Sequence, residues 1–112
     1  MPNTFKNALK PNIGTANTTV YQAPIATQST VIGLSIANRT SNATIQVSAY
    51  VLDSSNSYNA TYIVYNATVP LGGTLVAVGG DQKLVLKAND SIQVSSSVNN
   101  SVDAICSVLE IS

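Results

Sequence analysis

The sequence of 112 residues contains no histidine and no tryptophan, and its single cysteine is Cys106. Without histidine there is no ordinary Ser-His-Asp or Cys-His unit and no side chain that titrates near neutral pH without a shift. One cysteine cannot form an intrachain disulfide, and alone it cannot supply the common zinc ligand sets. The sequence therefore predicts no enzyme activity, no metal and no cofactor. It predicts Cys106 as a buried apolar side chain rather than a reactive thiol.

Charged residues are also scarce. Asp, Glu, Lys and Arg make up 9% of the chain, against about 25% in ordinary soluble domains. Five basic residues balance five acidic ones. Binding to nucleic acid or to an anionic membrane needs clustered Lys and Arg, so neither partner is expected. A neutral surface rich in Asn, Ser and Thr repels a second copy only weakly, which favours self-association.

Long hydrophobic runs are missing as well. None approaches the ~20 residues of a membrane-spanning helix, and the residues after Met1 lack the apolar stretch of a signal peptide. We therefore expect a protein that is made in the cytoplasm of its host. Hydrophobic residues still make up 45% of the chain. A single domain of this length can bury a core without disulfides or metals.

What the sequence does contain is apolar–polar alternation of period two, the pattern of β-strands. Within residues 30–38 the alternation predicts Ile32, Leu34 and Ile36 on one face. The next alternating run, 44–52, follows a turn rich in Asn and Ser. The two runs are therefore predicted to pair as a hairpin.

The alternation continues to the end of the chain. Further strands are predicted at 18–21, 61–69, 74–78, 83–87, 91–95 and 102–111. Seven to nine short strands separated by Gly, Pro, Asn and Ser turns predict an all-β, single-domain, antiparallel β-sandwich of jelly-roll type. Residues 13–112 are assigned to the sandwich. Residues 1–12 are assigned to an N-terminal arm or edge strand, and a short helix is left open there.

A pair of carboxylates could still hydrolyse a glycosidic bond. The acidic residues are Asp53, Asp81, Asp90, Asp103 and Glu110. The first three lie in turns, where aspartate accepts hydrogen bonds from its own backbone. The other two lie near the ends of the last strand. Nothing in the sequence brings two of them together, and no Asp-x-Asp-x-Asp spacing indicates a calcium loop. A hydrolase is the least favoured hypothesis.

Aromatic side chains are the candidates for recognition. Tyr50, Tyr58, Tyr62 and Tyr65 are four of the five tyrosines, and Phe5 is the only phenylalanine. Amphipathic rings flanked by Asn and Ser suit a protein interface or a sugar-binding surface. The alternative, that Tyr62 and Tyr50 are ordinary half-buried strand residues whose rings cover sheet edges, stays open. Strict alternation places Tyr62 and Tyr65 on opposite faces of their strand.

Six stretches of the sequence resemble stretches found in one group of known proteins. They are Asn12–Thr15, Val31–Asn38, Val69–Leu75, Gly79–Leu86, Asn89–Val94 and Ser107–Ile111. On these motifs the chain resembles the small structural proteins encoded among the virion genes of tailed phages, notably phages of cyanobacteria. The resemblance implies a virion component that decorates, or cements, the capsid. It implies binding to the major capsid protein or another virion protein, commonly as a homotrimer, and it brings no catalytic residue.

Two functions are therefore expected from the sequence. The first is a non-enzymatic capsid decoration protein located in the virion. The second is a tail, neck or fibre component that binds a host glycan through the tyrosine-rich region 50–65.

Overall fold

The computed structural model describes residues 3–40, 42–79 and 82–111. Over these ranges the chain forms nine β-strands and one turn of 3-10 helix at Ser54–Asn56. The strands are β1 (Asn3–Ile13), β2 (Thr18–Gln22), β3 (Gln28–Asn38), β4 (Ile45–Asp53), β5 (Asn59–Val69), β6 (Thr74–Val78), β7 (Leu84–Leu86), β8 (Ser91–Ser96) and β9 (Val102–Ile111). In the same ranges no helix is long and apolar enough to cross a membrane.

The strands form two antiparallel sheets. Sheet A has the order β1-β9-β3-β6, with β7 also paired to β3, and sheet B has the order β2-β8-β4-β5. The chain passes from one sheet to the other several times, so that strands distant in sequence become neighbours. This is the strand order of a jelly roll, an architecture that recurs in viral capsid and lectin domains. The predicted antiparallel sandwich of jelly-roll type is confirmed.

The predicted hairpin between β3 and β4 is wrong, because the chain changes sheet between these two strands. β3 pairs in sheet A and β4 pairs in sheet B. The side chain of Asn38 holds this crossing. Its Nδ2 donates to the carbonyl oxygens of Ala43 (2.9 Å) and Val69 (3.1 Å), and its Oδ1 accepts from the backbone N–H of Thr40 (2.9 Å). The buried amide satisfies backbone groups that a corner leaves without ladder partners.

The predicted position of Ile32 is also wrong. The register between β3 and β9 shifts between Val31 and Gly33, which marks a β-bulge. Because one extra residue is inserted, the alternation changes phase there. Val31 is therefore fully buried with Leu34 and Ile36, whereas Ile32 is only half-buried.

The core lies between the two sheets and is built from aliphatic side chains. Leu34 and Val108 from sheet A and Val47 and Ile92 from sheet B are completely buried. Each such side chain contributes roughly 1.5–3 kcal/mol relative to leaving it exposed. Cys106 lies among them with no exposed surface, as predicted. Burial raises the pKa of its thiol to about 12, so the reactive thiolate is not populated near neutral pH.

β1 is an edge strand that pairs with β9 along most of its length. The segment 1–12 therefore forms an edge strand from Asn3 onward, and Met1 and Pro2 lie outside the described residues. Most side chains of β1 are exposed, and Ile13 at its end is buried. Lys6, Lys10 and Pro11 on this edge discourage uncontrolled pairing with other chains.

Candidate interaction surfaces

Three of the predicted tyrosines gather on the outer face of sheet B. Tyr50 on β4 lies opposite Tyr62 on β5, with the ring centroids 5.1 Å apart. The Tyr62 and Tyr65 rings meet edge to face, with centroids 4.9 Å apart. Tyr50 is buried, whereas Tyr62 and Tyr65 are 49% and 67% exposed. We call these three residues the tyrosine cluster.

Strict alternation predicted Tyr62 and Tyr65 on opposite faces, and this is wrong. The register between β4 and β5 shifts twice, and at each shift β5 carries one more residue than β4. Asn66 adopts a left-handed backbone conformation, with φ 49°, and its N–H donates to Oγ of Ser48 (2.9 Å). These bulges bring Tyr65 to the face of Tyr62. They also twist the free edge of β5, which protects an edge strand without charge or proline from adventitious pairing.

A hydrogen-bond chain extends the tyrosine cluster across sheet B. The hydroxyl of Tyr50 donates to Oε1 of Gln93 (2.8 Å), and Nε2 of Gln93 donates to Oγ1 of Thr19 (2.9 Å). Burial, and to a lesser extent the neighbouring Tyr62, raise the pKa of Tyr50, so its hydroxyl remains a donor. The result is an uncharged surface with aromatic rings and fixed polar groups. Such a surface can stack on an apolar sugar face or fit a protein partner.

Tyr58 does not join the tyrosine cluster. It follows the 3-10 turn in a left-handed conformation, and its N–H donates to the carbonyl of Asp53 (2.8 Å). Its side chain is 54% exposed. Its ring makes no contact with another aromatic ring in the part of the chain that the structure describes.

Phe5 lies on sheet A, whereas the tyrosine cluster lies on sheet B. It is on β1 opposite Leu109 of β9, and its side chain is 73% exposed. It belongs to a group of exposed or half-buried apolar residues on the outer side of sheet A, which we call the sheet A face. Its members are Phe5, Leu9, Val76, Val85, Ile105 and Leu109. Of these residues, the sequence predicted only Phe5 as a candidate. The sequence of β9 does carry a signal for its own two members, Ile105 and Leu109, because apolar residues occur at both its odd and its even positions.

A groove of about 630 Å³ opens where the edges of the two sheets separate, between β5 and the β6–β7 edge. Its walls include Val51, Ile63 and Leu84, and Asp53 and Lys87 lie at one end. This groove leaves part of the apolar interior accessible to solvent. Asp81, one of the predicted acids, lies outside the described residues.

Two of the acids serve their own turns, as predicted. Oδ1 of Asp53 accepts from the backbone N–H of Ser55 (3.0 Å) and pairs with Nζ of Lys87 (3.1 Å). The Ser55 hydroxyl, followed by Lys87, lowers the pKa of Asp53. Oδ2 of Asp90 accepts from the backbone N–H of Lys87 in its own turn (3.0 Å), and its Oδ1 accepts from the backbone N–H of Ser54 (2.8 Å). Across residues 3–40, 42–79 and 82–111, no group of three His, Cys, Asp or Glu side chains could hold a metal ion.

Glu110 has a structural partner that the sequence did not indicate. The hydroxyl of Tyr21 donates to its Oε2 (2.6 Å), and Nζ of Lys6 lies 3.2 Å from its Oε1. The Tyr21 hydroxyl also lies 2.7 Å from Oγ of Ser29. Burial, together with the bond to Glu110, raises the pKa of Tyr21 to about 12, and that same bond lowers the pKa of Glu110. These contacts join the two sheets and occupy both oxygens of the Glu110 carboxylate.

No protein-family model matches the chain, and no curated protein matches it at a significant level. Solved structures do match its fold. One is a chain from the disulfide-linked pili of Bacillus endospore appendages, with a TM-score of 0.54 and 9% identity over 98% of this chain and 88% of that chain. Cys106, the only cysteine here, is buried, so this chain presents no accessible thiol for such a linkage.

Two further matches come from virus particles. A chain of infectious bursal disease virus, Gx strain, superimposes with a TM-score of 0.51 and 12% identity, over 97% of this chain but only 30% of that chain. The present chain thus spans less than a third of the viral one. A chain from the capsid asymmetric unit of cyanophage Pam1 covers 98% of this chain and 86% of its own length at 15% identity, and its TM-score of 0.41 is too low to support an argument. At these identities the likeness shows a shared fold.

Proposed function

We propose that this chain is a non-enzymatic virion structural protein that decorates the capsid of a tailed phage, as a homo-oligomer bound to the major capsid protein. The observation that carries the proposal is a jelly-roll sandwich with two uncharged outer surfaces, the sheet A face and the tyrosine cluster. The resemblance of its sequence motifs to those of phage virion proteins supports the same function. The fold likeness to chains from virus particles is compatible with it.

Uncharged contact surfaces suit this role physically. Interactions between exposed charges weaken as salt rises, because the screening length shortens to about 8 Å at physiological ionic strength. Apolar and hydrogen-bonded contacts are far less sensitive to salt. A protein attached through them stays on a shell when the particle meets a different ionic medium.

We assign the tyrosine cluster to the contact with the shell. Tyrosine is enriched in protein interfaces and among the residues that dominate binding energy. Tyr62 and Tyr65 present their rings to solvent, while the Tyr50–Gln93 bond fixes the surface beneath them. Little conformational entropy is lost when a surface that is already ordered meets a partner.

The absence of enzyme activity is part of the proposal. Asp53 and Asp90 are engaged by their turns, and Glu110 is engaged by Tyr21 and Lys6. The buried Cys106 has no histidine to activate it, because the chain has none. We therefore expect no hydrolysis by Asp53, Asp90 or Glu110, because glycoside hydrolysis requires a pair of carboxyl groups that is free to act on the substrate.

A second candidate function rests on the same cluster. Exposed rings beside fixed amide and hydroxyl groups suit a carbohydrate, so the protein could instead be a tail, neck or fibre component that binds a host glycan. A glycan array with the purified chain separates the two functions. Specific glycan binding that is lost in Tyr62→Ala favours the tail, neck or fibre component. An array without binding favours the capsid decoration protein.

Co-sedimentation with assembled shells that lack this protein tests the leading function. We expect the chain to pellet with shells at low and high salt. The double variant Tyr62→Ala/Tyr65→Ala should bind at least about 10-fold more weakly, because exposed aromatic anchors dominate such contacts. Tyr58→Ala, which removes an exposed ring outside the cluster, is the matched control and should bind normally. A wild-type chain that stays in the supernatant contradicts the capsid role.

A further inference from the structure

The groove where the two sheets separate is bounded by two strands that each pair on one side only. β5 is the last strand of sheet B and pairs with β4, and β6 is the last strand of sheet A and pairs with β3. Each of them therefore presents, along its outer side, backbone N–H and C=O groups that no other described strand satisfies. The groove of about 630 Å³ lies between these two edges.

The floor of the groove is the incompletely covered margin of the apolar core. Val51, Ile63, Ala77 and Leu84 line it, and they pack against the core but are only half-buried. Thr61 shows the reason. It pairs with Val51 and therefore lies on the core side of sheet B, yet its side chain is exposed because the sheets have separated at this point. A segment placed in the groove would cover side chains that the fold leaves accessible to solvent.

The rims of the groove are apolar as well. Tyr62 on β5 is 49% exposed, and Val76 on β6 and Val85 on β7 are 62% and 53% exposed. At one end of the groove, Asp53 pairs with Lys87 (3.1 Å), so these two charges offset each other. The groove is therefore suited to apolar side chains more than to charged ones.

The beginning of β5 is a regular strand edge beside the groove. Residues 59–62 pair one to one with residues 50–53 of β4, and the bulges of β5 begin only after Tyr62. This stretch is about 13 Å long at ~3.3 Å per residue. β5 and β6 contain no charged residue and no proline, whereas the edge strand β1 carries two lysines and a proline, which discourage pairing. A short segment can therefore pair here, while the bulges oppose a longer one.

An extended polypeptide matches both the edge and the floor. Its backbone can add a strand to sheet B beside residues 59–62, and every second side chain then points into the groove. A small apolar molecule would contact the floor but could not continue the strand ladder. Tyr62 indicates which protein supplies the polypeptide, because it lines the groove and also belongs to the tyrosine cluster. A partner that covers the tyrosine cluster lies directly beside the groove.

We propose that the groove binds an extended segment of the shell protein, which adds a strand beside residues 59–62 and places apolar side chains against Val51, Ile63 and Leu84. The proposal rests on the proposed function, which assigns the tyrosine cluster to the shell. It adds the form in which the shell protein is recognised, namely main-chain pairing combined with alternate apolar side chains. Binding of this kind varies little with salt, because it does not depend on exposed charges.

An array of overlapping peptides that span the virion proteins of the phage tests the proposal without assembled shells. We expect the purified chain to bind peptides of the major capsid protein that have apolar residues at alternate positions. Thr61→Lys should weaken this binding at least about 10-fold, because the peptide would desolvate the ammonium group. Thr74→Lys is the matched control. Thr74 is an exposed threonine on β6 that does not line the groove, so this variant should bind normally.

Hydrogen–deuterium exchange is a second measurement, and it needs no variant. When a capsid peptide from the array is bound, the edge-facing backbone amides of residues 59–62 should exchange more slowly, whereas those of β1 should be unchanged. This measurement replaces Thr61→Lys if circular dichroism shows that the variant is unfolded.

Four results would overturn the proposal. They are an array without a bound peptide, binding of tail, neck or fibre peptides alone, normal binding by a folded Thr61→Lys chain, and a bound peptide that leaves exchange at residues 59–62 unchanged. Failure of the proposed function gives a different result. A chain that binds capsid peptides but not assembled shells contradicts only capsid decoration, whereas binding to shells without binding to any peptide contradicts only the groove.

Discussion

The hydroxyl of Tyr21 on β2 donates a 2.6 Å hydrogen bond to Oε2 of Glu110 on β9, and both residues are at most 8% exposed. This bond joins sheet B to sheet A through a charged acceptor. Lys6 on β1 adds an ion pair to the same carboxylate. One cluster therefore ties together both sheets and the N-terminal strand.

Removing the Tyr21 hydroxyl should destabilise the fold. In Tyr21→Phe, the carboxylate of Glu110 stays buried and loses its shortest hydrogen bond. We expect a loss of about 1.5–3 kcal/mol in the free energy of unfolding, the usual range for a bond to a charged group. Urea unfolding measures this. Tyr65→Phe, which removes an exposed hydroxyl, is the control. Equal stabilities of the two variants would contradict the stabilising role of the Tyr21–Glu110 hydrogen bond.

The same cluster predicts acid sensitivity. The bond from Tyr21 lowers the pKa of Glu110 in the folded state below the ordinary value of about 4.3. A carboxyl with a lowered folded pKa stabilises the fold above its unfolded pKa, and that stabilisation disappears as pH falls through the folded pKa. We expect the unfolding free energy to decline below about pH 4. Glu110→Gln should decline less steeply, and identical pH profiles would refute this role.

Asn38 should be essential to the corner between β3 and β4. Asn38→Ala removes the donor to the carbonyls of Ala43 and Val69 and the acceptor for the backbone N–H of Thr40, whereas the carbonyl of Ala43 retains the Thr40 hydroxyl as a donor. Each unsatisfied group costs about 1–3 kcal/mol, so a loss of about 2–4 kcal/mol is expected. Thermal unfolding provides the measurement. Asn42→Ala, at an exposed position of the same connection, should change stability little, and a comparable loss there would contradict the account.

Cys106 should react only when the protein unfolds. Its side chain is fully buried, and burial holds the pKa of the thiol near 12. Labelling with a thiol reagent at neutral pH should therefore be limited by opening of the sandwich, and it should become fast in denaturant. Rapid labelling of the native chain would mean that β9 is more accessible than the fold indicates.

Much of this fold was predictable, and the errors share a physical cause. Alternation located the strands, because each strand buries one face, and β9 was predicted with the bounds that it has. Alternation does not tell which sheet a strand joins, so the Asn38 corner was mistaken for a hairpin turn. Bulges change the phase of the pattern, and they are set by pairing with another strand, β9 for Ile32 and β4 for Tyr65. Ile32 and Tyr65 were assigned to the wrong face for this reason.

The interaction surfaces were less predictable than the fold. Phe5 and the tyrosines were identified as candidates by residue type alone, and the fold places them on opposite sheets. The sheet A face depends on the register among β1, β9, β3, β6 and β7, so the local pattern of β9 alone could not reveal it. Glu110 was recognised as an acid near a strand end, but its burial beside Tyr21 arises only when the two sheets meet.

Electron microscopy of purified phage particles, with gold-labelled antibody against this protein, tests the central claim most directly. The account predicts gold distributed over the capsid surface, with many labelled sites per particle and the tail unlabelled. Label confined to the tail, neck or fibres would contradict the capsid role and favour the glycan-binding component. Particles without any label would contradict a virion role.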